Sequence, residues 1–363
     1  MKGAYYLGLD IAKNIFQIFT ADEKGREIGN RKMSRRAMVE FFAKLPQCTV
    51  GMEACGTAHH WARTLEAMGH TARLIQPQRV KAFLSGRNKT DAADAKAICE
   101  ALMHPGTRFV RVKTLAQQDM DHLLSRRERL VQNRTQIVNQ TRSFLAERGI
   151  TIPKGVHQFE KVLPQILAEH WEEFSGKFQA ALTANINEYH VLATQIDEMD
   201  ALIKESVTKR EDCKRLMRIR GIGPLTATAL VAHVGDGKQF KNGRQMAAYL
   251  GITPREHSSG GRQRLLGITK RGNVRLRTLL VLAARAAILG IERRKRGEDG
   301  MPSVLTSWDR KILSMKERLG IFKAAVALAN KIARIAWAVL AKGEEFQIAK
   351  ACIIETVPQE ARP

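Results

Sequence analysis

The chain has 363 residues, with 60 Lys and Arg against 36 Asp and Glu, a net charge of +24 and 44% hydrophobic residues. That length holds about two domains with real cores, and that composition excludes wholesale disorder. So basic a folded chain needs an acidic partner, for which nucleic acid is the usual candidate. A membrane anchor is not expected, because the longest apolar runs, near Leu279–Ala284 and Ala324–Ala329, are cut short by Arg285 and Lys331.

The first hundred residues read as α/β. Strands are predicted at Tyr5–Leu9 and Ile15–Thr20, with a hairpin turn at Asp22–Gly25 leading to a third strand near Ile28. A helix over Met38–Leu45, a strand over Cys48–Met52, a helix over His60–Met68 that stops at Gly69, and a strand over Thr71–Ile75 follow. Together they make a mixed sheet with helices against it. The N-terminal segment has Asp10 where a signal peptide needs apolar residues, so no export is expected. Five scattered cysteines without a C-x-x-C fit a reducing cytoplasm and no zinc module.

Residues 107–208 change character. Leu123, Leu130, Ile137 and Phe144 recur every seven residues, as do Leu124, Val131, Val138 and Leu145. After a break at Gly149–Gly155, Tyr189, Leu192, Ile196, Met199 and Ile203 follow at alternating spacings of three and four. The pattern suits an antiparallel coiled-coil hairpin, and equally an ordinary helical bundle. Residues 213–345 are predicted helical with glycine joints, and Arg262–Arg296 concentrates eleven Lys and Arg against one acidic residue. There are no internal repeats.

Carboxylates mark the first domain. Asp10 and Glu53 each end an apolar run, which places them at a sheet rim. Thr90 is a candidate N-cap, and Asp91 and Asp94 then share one helix face. Two strand-end carboxylates and two from one helix face suit a pair of hard divalent ions, which can clamp both oxygens of a phosphoryl transfer. Taken singly, each has a plainer role as a turn residue or a complement to the helix dipole.

In the second domain, Arg218–Ala227 carries Gly221 and Gly223 in what reads as a helix-hairpin-helix, whose glycines let backbone approach phosphate. A plain helix–helix turn has the same composition. Further on, the loop Tyr249–Gly261 holds two serines before two glycines, ringed by Arg262, Arg264, Lys270 and Arg271. Asn273 is a candidate N-cap for a helix running to about Leu289 and carrying Arg275 and Arg277. A serine so placed can attack a phosphodiester, with the cations stabilising the developing charge; ordinary loop chemistry uses the same residues.

These segments together carry a resemblance. GLDIAK, MEACG and RNKTDAADA in the first domain, and GIGPLTA, YLGITPREHSSGG and ITKRGNVRLR in the second, are similar to the DEDD-type insertion-sequence transposases of the IS110 and IS1111 group, over residues 4 to about 343. The resemblance implies a RuvC-like, RNase H-type domain over 1–106 with Asp10, Glu53, Asp91 and Asp94 as its catalytic tetrad binding Mg2+ or Mn2+. It implies a helical coiled-coil middle over 107–208, a mostly α transposase domain over 209–345 and a tail over 346–363. A serine before glycine is the group's nucleophile, forming a phosphoserine link with cleaved DNA. The matching residue is Ser259, with Ser258 one position away. Donor and target DNA, a noncoding bridge RNA, and a tetramer in which one subunit's tetrad meets another's serine are also implied, in a cytoplasmic, nucleoid-associated protein. Gly221, Gly223, Arg262, Arg264, Lys270, Arg271, Arg275 and Arg277 are the expected nucleic-acid contacts. Two rival readings are a RuvC-type junction nuclease using water, which has no need of Ser259, and a non-catalytic nucleic-acid-binding protein, which has no need of four carboxylates.

Overall fold

The structure, a computed structural model, describes residues 6–84, 90–297 and 305–347. Tyr5, Arg87, Asn88 and Lys89, and all but the start of the tail, lie outside them. The chain divides into two compact units, Met1–Thr114 and Leu115–Pro363, each taken here by itself.

The first unit is a mixed sheet. Strands β1 (Tyr6–Asp10), β2 (Ile15–Ala21) and β3 (Glu27–Ser34) form an antiparallel meander. The predicted turn joins the first pair to the third strand, with the Asp22 N–H bonded to the Arg26 carbonyl. Helix α1 (Arg35–Ala43) starts earlier than the periodicity suggested, because Ser34 Oγ caps the Ala37 N–H. Then come β4 (Thr49–Glu53), α2 (Ala58–Ala67), β5 (Thr71–Ile75), α3 (Pro77–Lys81), α4 (Asp91–Met103) and the two-residue β6 (Phe109–Val110). Spatial order is β3-β2-β1-β4-β5-β6, with β1, β4 and β5 parallel.

Alternation decides what each face covers. Leu7, Leu9, Phe16, Ile18, Val50 and Met52 face one way and bury Met38, Phe42, Trp61 and Leu65 of α1 and α2. The opposite face carries Gly8, Asp10, Phe19 and Ala21, against Ala95 and Cys99 of α4.

The second unit is nearly all helix. Helix α5 (Leu115–Ala146) and α7 (Gly176–Thr208) run antiparallel, as Arg127 pairs with Asp200 and Asn185 donates to Thr141 Oγ1. Leu130, Leu192 and Ile196 form one packed layer, and Val138, Leu145, Leu182 and Tyr189 another. Buried members of the heptad stripes therefore pack against one another between α5 and α7 of one chain. Between them lies α6 (Val156–His170), followed by a 3-10 turn at Trp171–Glu173; α6 holds Pro164 and was not read from the sequence.

Helices α8 (Glu211–Met217), α9 (Pro224–Val234) and α10 (Gly243–Tyr249), the hairpin β7 (Pro254–Glu256) and β8 (Leu265–Ile268), α11 (Val274–Arg296) and α12 (Ser307–Lys342) complete the unit. Helix α12 bends at Gly320, whose φ of 74° favours glycine. It is the one helix among the described residues long and apolar enough to cross a bilayer, and half of its apolar stretch is buried, with Leu328, Ile332 and Ala336 in the core. The chain thus combines an α/β N-terminal region around a central sheet with a mostly helical remainder.

Candidate active site and serine hairpin

Leu9 and Met52 are opposed on the parallel strands β1 and β4, so Asp10 and Glu53, the next residues, end neighbouring strands side by side. Helix α4 lies close over them because residue 8 is glycine. A Cβ there would stand 2.0 Å from the Ala95 carbonyl oxygen. Thr90 Oγ1 caps the Ala93 N–H as predicted, and Asp91 and Asp94 occupy the first helical turn. The first turn of α4 thereby brings Asp91 and Asp94, with Glu53, within electrostatic range of Asp10. Its pKa is raised to about 6, first by burial, then by the negative charges of Asp94, Asp91 and Glu53, against one hydrogen bond from the Ile11 N–H.

The four groups stand at electrostatic range rather than in a closed cage. Among the described residues no three His, Cys, Asp or Glu side chains are close enough to hold one ion. The donor set still fits a hard divalent cation, since it is all carboxylate oxygen and its mutual repulsion is what such a cation relieves. Sequence reasoning missed two neighbours on β3. Lys32 Nζ lies 3.2 Å from Asp91 Oδ2, and Asn30 Nδ2 donates to the Ala92 carbonyl at 3.1 Å.

The serines sit at the tip of the β7–β8 hairpin. Gly260 and Gly261 both have positive φ, 57° and 74°, which suits a tight hairpin turn. Ser258 Oγ donates to Glu256 Oε1 at 2.6 Å and accepts from the Arg264 N–H at 3.3 Å. Ser259 is joined to Arg262 only through backbone, and its exposed hydroxyl has no hydrogen-bond partner among the described residues. Arg262 pairs with Ser259 at the tip and Arg264 follows it, while Arg255 lies on β7 and Lys270 and Arg271 lie at the hairpin's base; all five are exposed. Arg255 was not singled out from the sequence, although it flanks the same loop.

The hairpin's base is held by reciprocal glycines. A Cβ on Gly251 would stand 1.9 Å from the Arg271 carbonyl oxygen, and one on Gly272 would stand 1.8 Å from that of Tyr249, both at positive φ. Either Gly251→Ala or Gly272→Ala must push backbone apart, and we expect a loss of about 1–3 kcal/mol on chemical denaturation. Wild-type stability in either variant would contradict this packing.

The remaining expected contacts divide. Asn273 Oδ1 caps the Leu276 N–H of α11, as predicted. Arg275 spends its guanidinium on α5, donating to Glu128 Oε2, Asp121 Oδ1 and Ser125 Oγ at 2.8–2.9 Å. Arg277 Nη1 donates to the Leu250 carbonyl. Gly221 has φ 89° and lies against α11, where a Cβ would stand 2.2 Å from the Ala283 carbonyl oxygen; Gly223, at the N-cap of α9, faces open space. Arg264→Ala and Arg271→Ala should each lower the salt slope of DNA binding by about one unit. Arg275→Ala should instead leave the slope unchanged and cost about 1–3 kcal/mol of stability by removing the donor shared by Asp121, Ser125 and Glu128. Fluorescence anisotropy across a salt series separates these outcomes.

Comparison with known proteins bears on the whole chain. Residues 213–297 match the family described as "Transposase IS116/IS110/IS902 family", and residues 7–149 match the DEDD-type transposase family of the IS110 kind. The chain is 41% identical to the transposase for insertion sequence element IS1111A of Coxiella burnetii, across 96% of this chain and 92% of that one. It is 40% identical to a probable family 20 transposase of Pseudomonas aeruginosa, across 93% and 96%. A third relative, the transposase for insertion sequence element IS1328 of Yersinia enterocolitica, is 36% identical across 95% and 99%.

Proposed function

The chain belongs to the IS116/IS110/IS902 family of insertion-sequence transposases, and from that premise we propose that it cuts and rejoins DNA through Ser259 in concert with Asp10, Glu53, Asp91 and Asp94. The observation that carries this reading is the contrast between the two serines: Ser258 is tied to Glu256 and Arg264, while Ser259 is free at the exposed tip. Ser259 Oγ attacks the scissile phosphorus, an Oγ–P bond forms and one ester P–O bond breaks. The hydroxyl proton ends on the leaving oxygen, which becomes a free strand end. Attack by another strand's hydroxyl reverses the exchange, so the ester is conserved without external energy.

Asp10, Glu53, Asp91 and Asp94 would hold Mg2+ or Mn2+, which would neutralise the phosphate and lower the hydroxyl pKa. Arg262 and Arg264 supply cations next to Ser259, Arg255, Lys270 and Arg271 extend the basic surface toward the hairpin's base, and Gly260 and Gly261 leave room for the DNA backbone to approach. A water-using nuclease is the poorer reading, because it leaves the exposed serine and its basic hairpin without a task. Donor and target DNA are the substrates; the family resemblance adds a bridge RNA as guide and a tetramer as the working assembly.

The test incubates the protein with Mg2+ and DNA from the ends of its own element and looks for a protein–DNA adduct that survives denaturation. Ser259→Ala should bind DNA and form none, whereas Ser258→Ala should retain it. Wild-type cleavage by Ser259→Ala would replace this reading with the water-using nuclease.

A further inference from the structure

Gln17 is a polar residue in the otherwise apolar run Ile15–Phe19 of β2, and it is 5% exposed. Strand register places it opposite Asp10 on one side and opposite Lys32 on the other. Opposed residues on neighbouring strands share a face, so Glu53, Asp10, Gln17 and Lys32 form one row across four strands, beneath the first turn of α4.

Hydrogen bonds orient the Gln17 amide. Asn30 Nδ2 is committed to the Ala92 carbonyl, so Asn30 Oδ1 is the atom turned to Gln17 and accepts from Gln17 Nε2. Both Asn30 and Lys32 lie on β3. With its nitrogen committed to β3, the amide keeps Oε1 uncommitted, on the residue that the register sets opposite Asp10. That oxygen is buried and has no partner among the described residues. Buried acceptors in native proteins are almost always satisfied, and ionised carboxylates have no proton to offer it. Lys32 is engaged with Asp91. The donor that suits this position is water on a hard cation, because Mg2+ keeps several of its waters when carboxylates bind it.

We propose that Gln17 is an outer-sphere residue of the carboxylate site, its Oε1 accepting a hydrogen bond from a water on the divalent cation held at Asp10. The proposal rests on the reading of Asp10, Glu53, Asp91 and Asp94 as that cation's site. Partners of this kind fix the orientation of what the metal holds, and their loss costs metal affinity about 10- to 100-fold.

The test titrates Mn2+ into the full chain by calorimetry, without DNA. Gln17→Met keeps the side chain's length and removes the acceptor, and should weaken Mn2+ about tenfold or more. Asn30→Ala removes the bridge to α4 but leaves the Gln17 acceptor, and should weaken it less. Gln17→Glu retains an acceptor and should bind Mn2+ at least as tightly as wild type, which keeps the test open should Gln17→Met fail to fold. Wild-type affinity in Gln17→Met, an equal loss in Asn30→Ala, or a loss in Gln17→Glu would each overturn the proposal. Asp10→Ala reports on the underlying reading separately: if it binds Mn2+ like wild type, the carboxylate site itself is wrong, whatever Gln17 does.

Discussion

Asp309→Ala should lower the stability of the second unit by about 3–5 kcal/mol, the largest loss expected from any single side chain considered. Asp309 is fully buried at the start of α12, where it closes a capping box with Thr306. It also pairs with Arg220, in the turn between α8 and α9, and lies 3.6 Å from Arg294 near the end of α11. Three elements meet on one carboxylate. Burial pushes its pKa up, but hydrogen bonds from Arg220 and Thr306 outweigh that and hold it below the usual carboxylate value. Its contribution is therefore complete above the unfolded pKa of about 4 and is lost as pH falls through the lower folded value. Truncation leaves two arginines without their partner and one helix without its cap. The paired change Asp309→Leu with Arg220→Met should recover part of the loss, because it removes the nearer of the two stranded charges. Urea denaturation of wild type, Asp309→Leu, Arg220→Met and the double variant closes the cycle, and additive losses would show that the pair is not coupled.

Asp10→Asn should abolish DNA cleavage and, in metal-free protein, stabilise the first unit at neutral pH. The two effects have one cause. Burial and three neighbouring carboxylates raise the Asp10 pKa to about 6. A raised carboxyl pKa means the folded state holds its proton more tightly than the unfolded chain. The associated stability is present below about pH 4 and is lost as pH rises through about 6. Without metal, the wild-type melting temperature should fall relative to that of the Asn variant across this window. Added Mg2+ or Mn2+ should raise the wild-type melting temperature and leave the variant's unchanged. A variant that tracks wild type at every pH and still responds to metal would remove Asp10 from the site.

Much of this organisation is local and so could be read from the chain. Of the first five strands, β1, β2, β4 and β5 follow from short apolar runs and the polar β3 from the turn before it, and the order Asp10, Glu53, Asp91-x-x-Asp94 is legible because each carboxylate ends a strand or opens a helix. The stripes at Leu124–Leu145 and Tyr189–Ile203 gave a helical hairpin, but period alone does not say whether the partner helix lies in the same chain. What escaped is what depends on distant residues. Arg275 looks like any basic residue in Arg262–Arg296 until Asp121, Ser125 and Glu128, some 150 positions earlier, close around it. Gly221 reads as a phosphate-binding glycine until α11 arrives against it. Gln17 did leave a trace, a lone amide inside IFQIF, whose meaning needs the register with Asp10 and Lys32. The family resemblance picked Ser259 as the serine before glycine, but the hydrogen bonds that tie Ser258 to Glu256 and Arg264 are not encoded in any spacing.

The identity of the nucleophile can be read directly from the adduct. Trypsin cuts after Arg255 and Arg262, so both serines fall in the peptide Glu256–Arg262. Wild-type protein trapped on DNA in Mg2+, digested with nuclease and trypsin and fragmented by mass spectrometry, should carry a nucleotide phosphate on Ser259 and none on Ser258. A phosphate on Ser258, or DNA cleaved in full with this peptide unmodified throughout the reaction, would contradict the account.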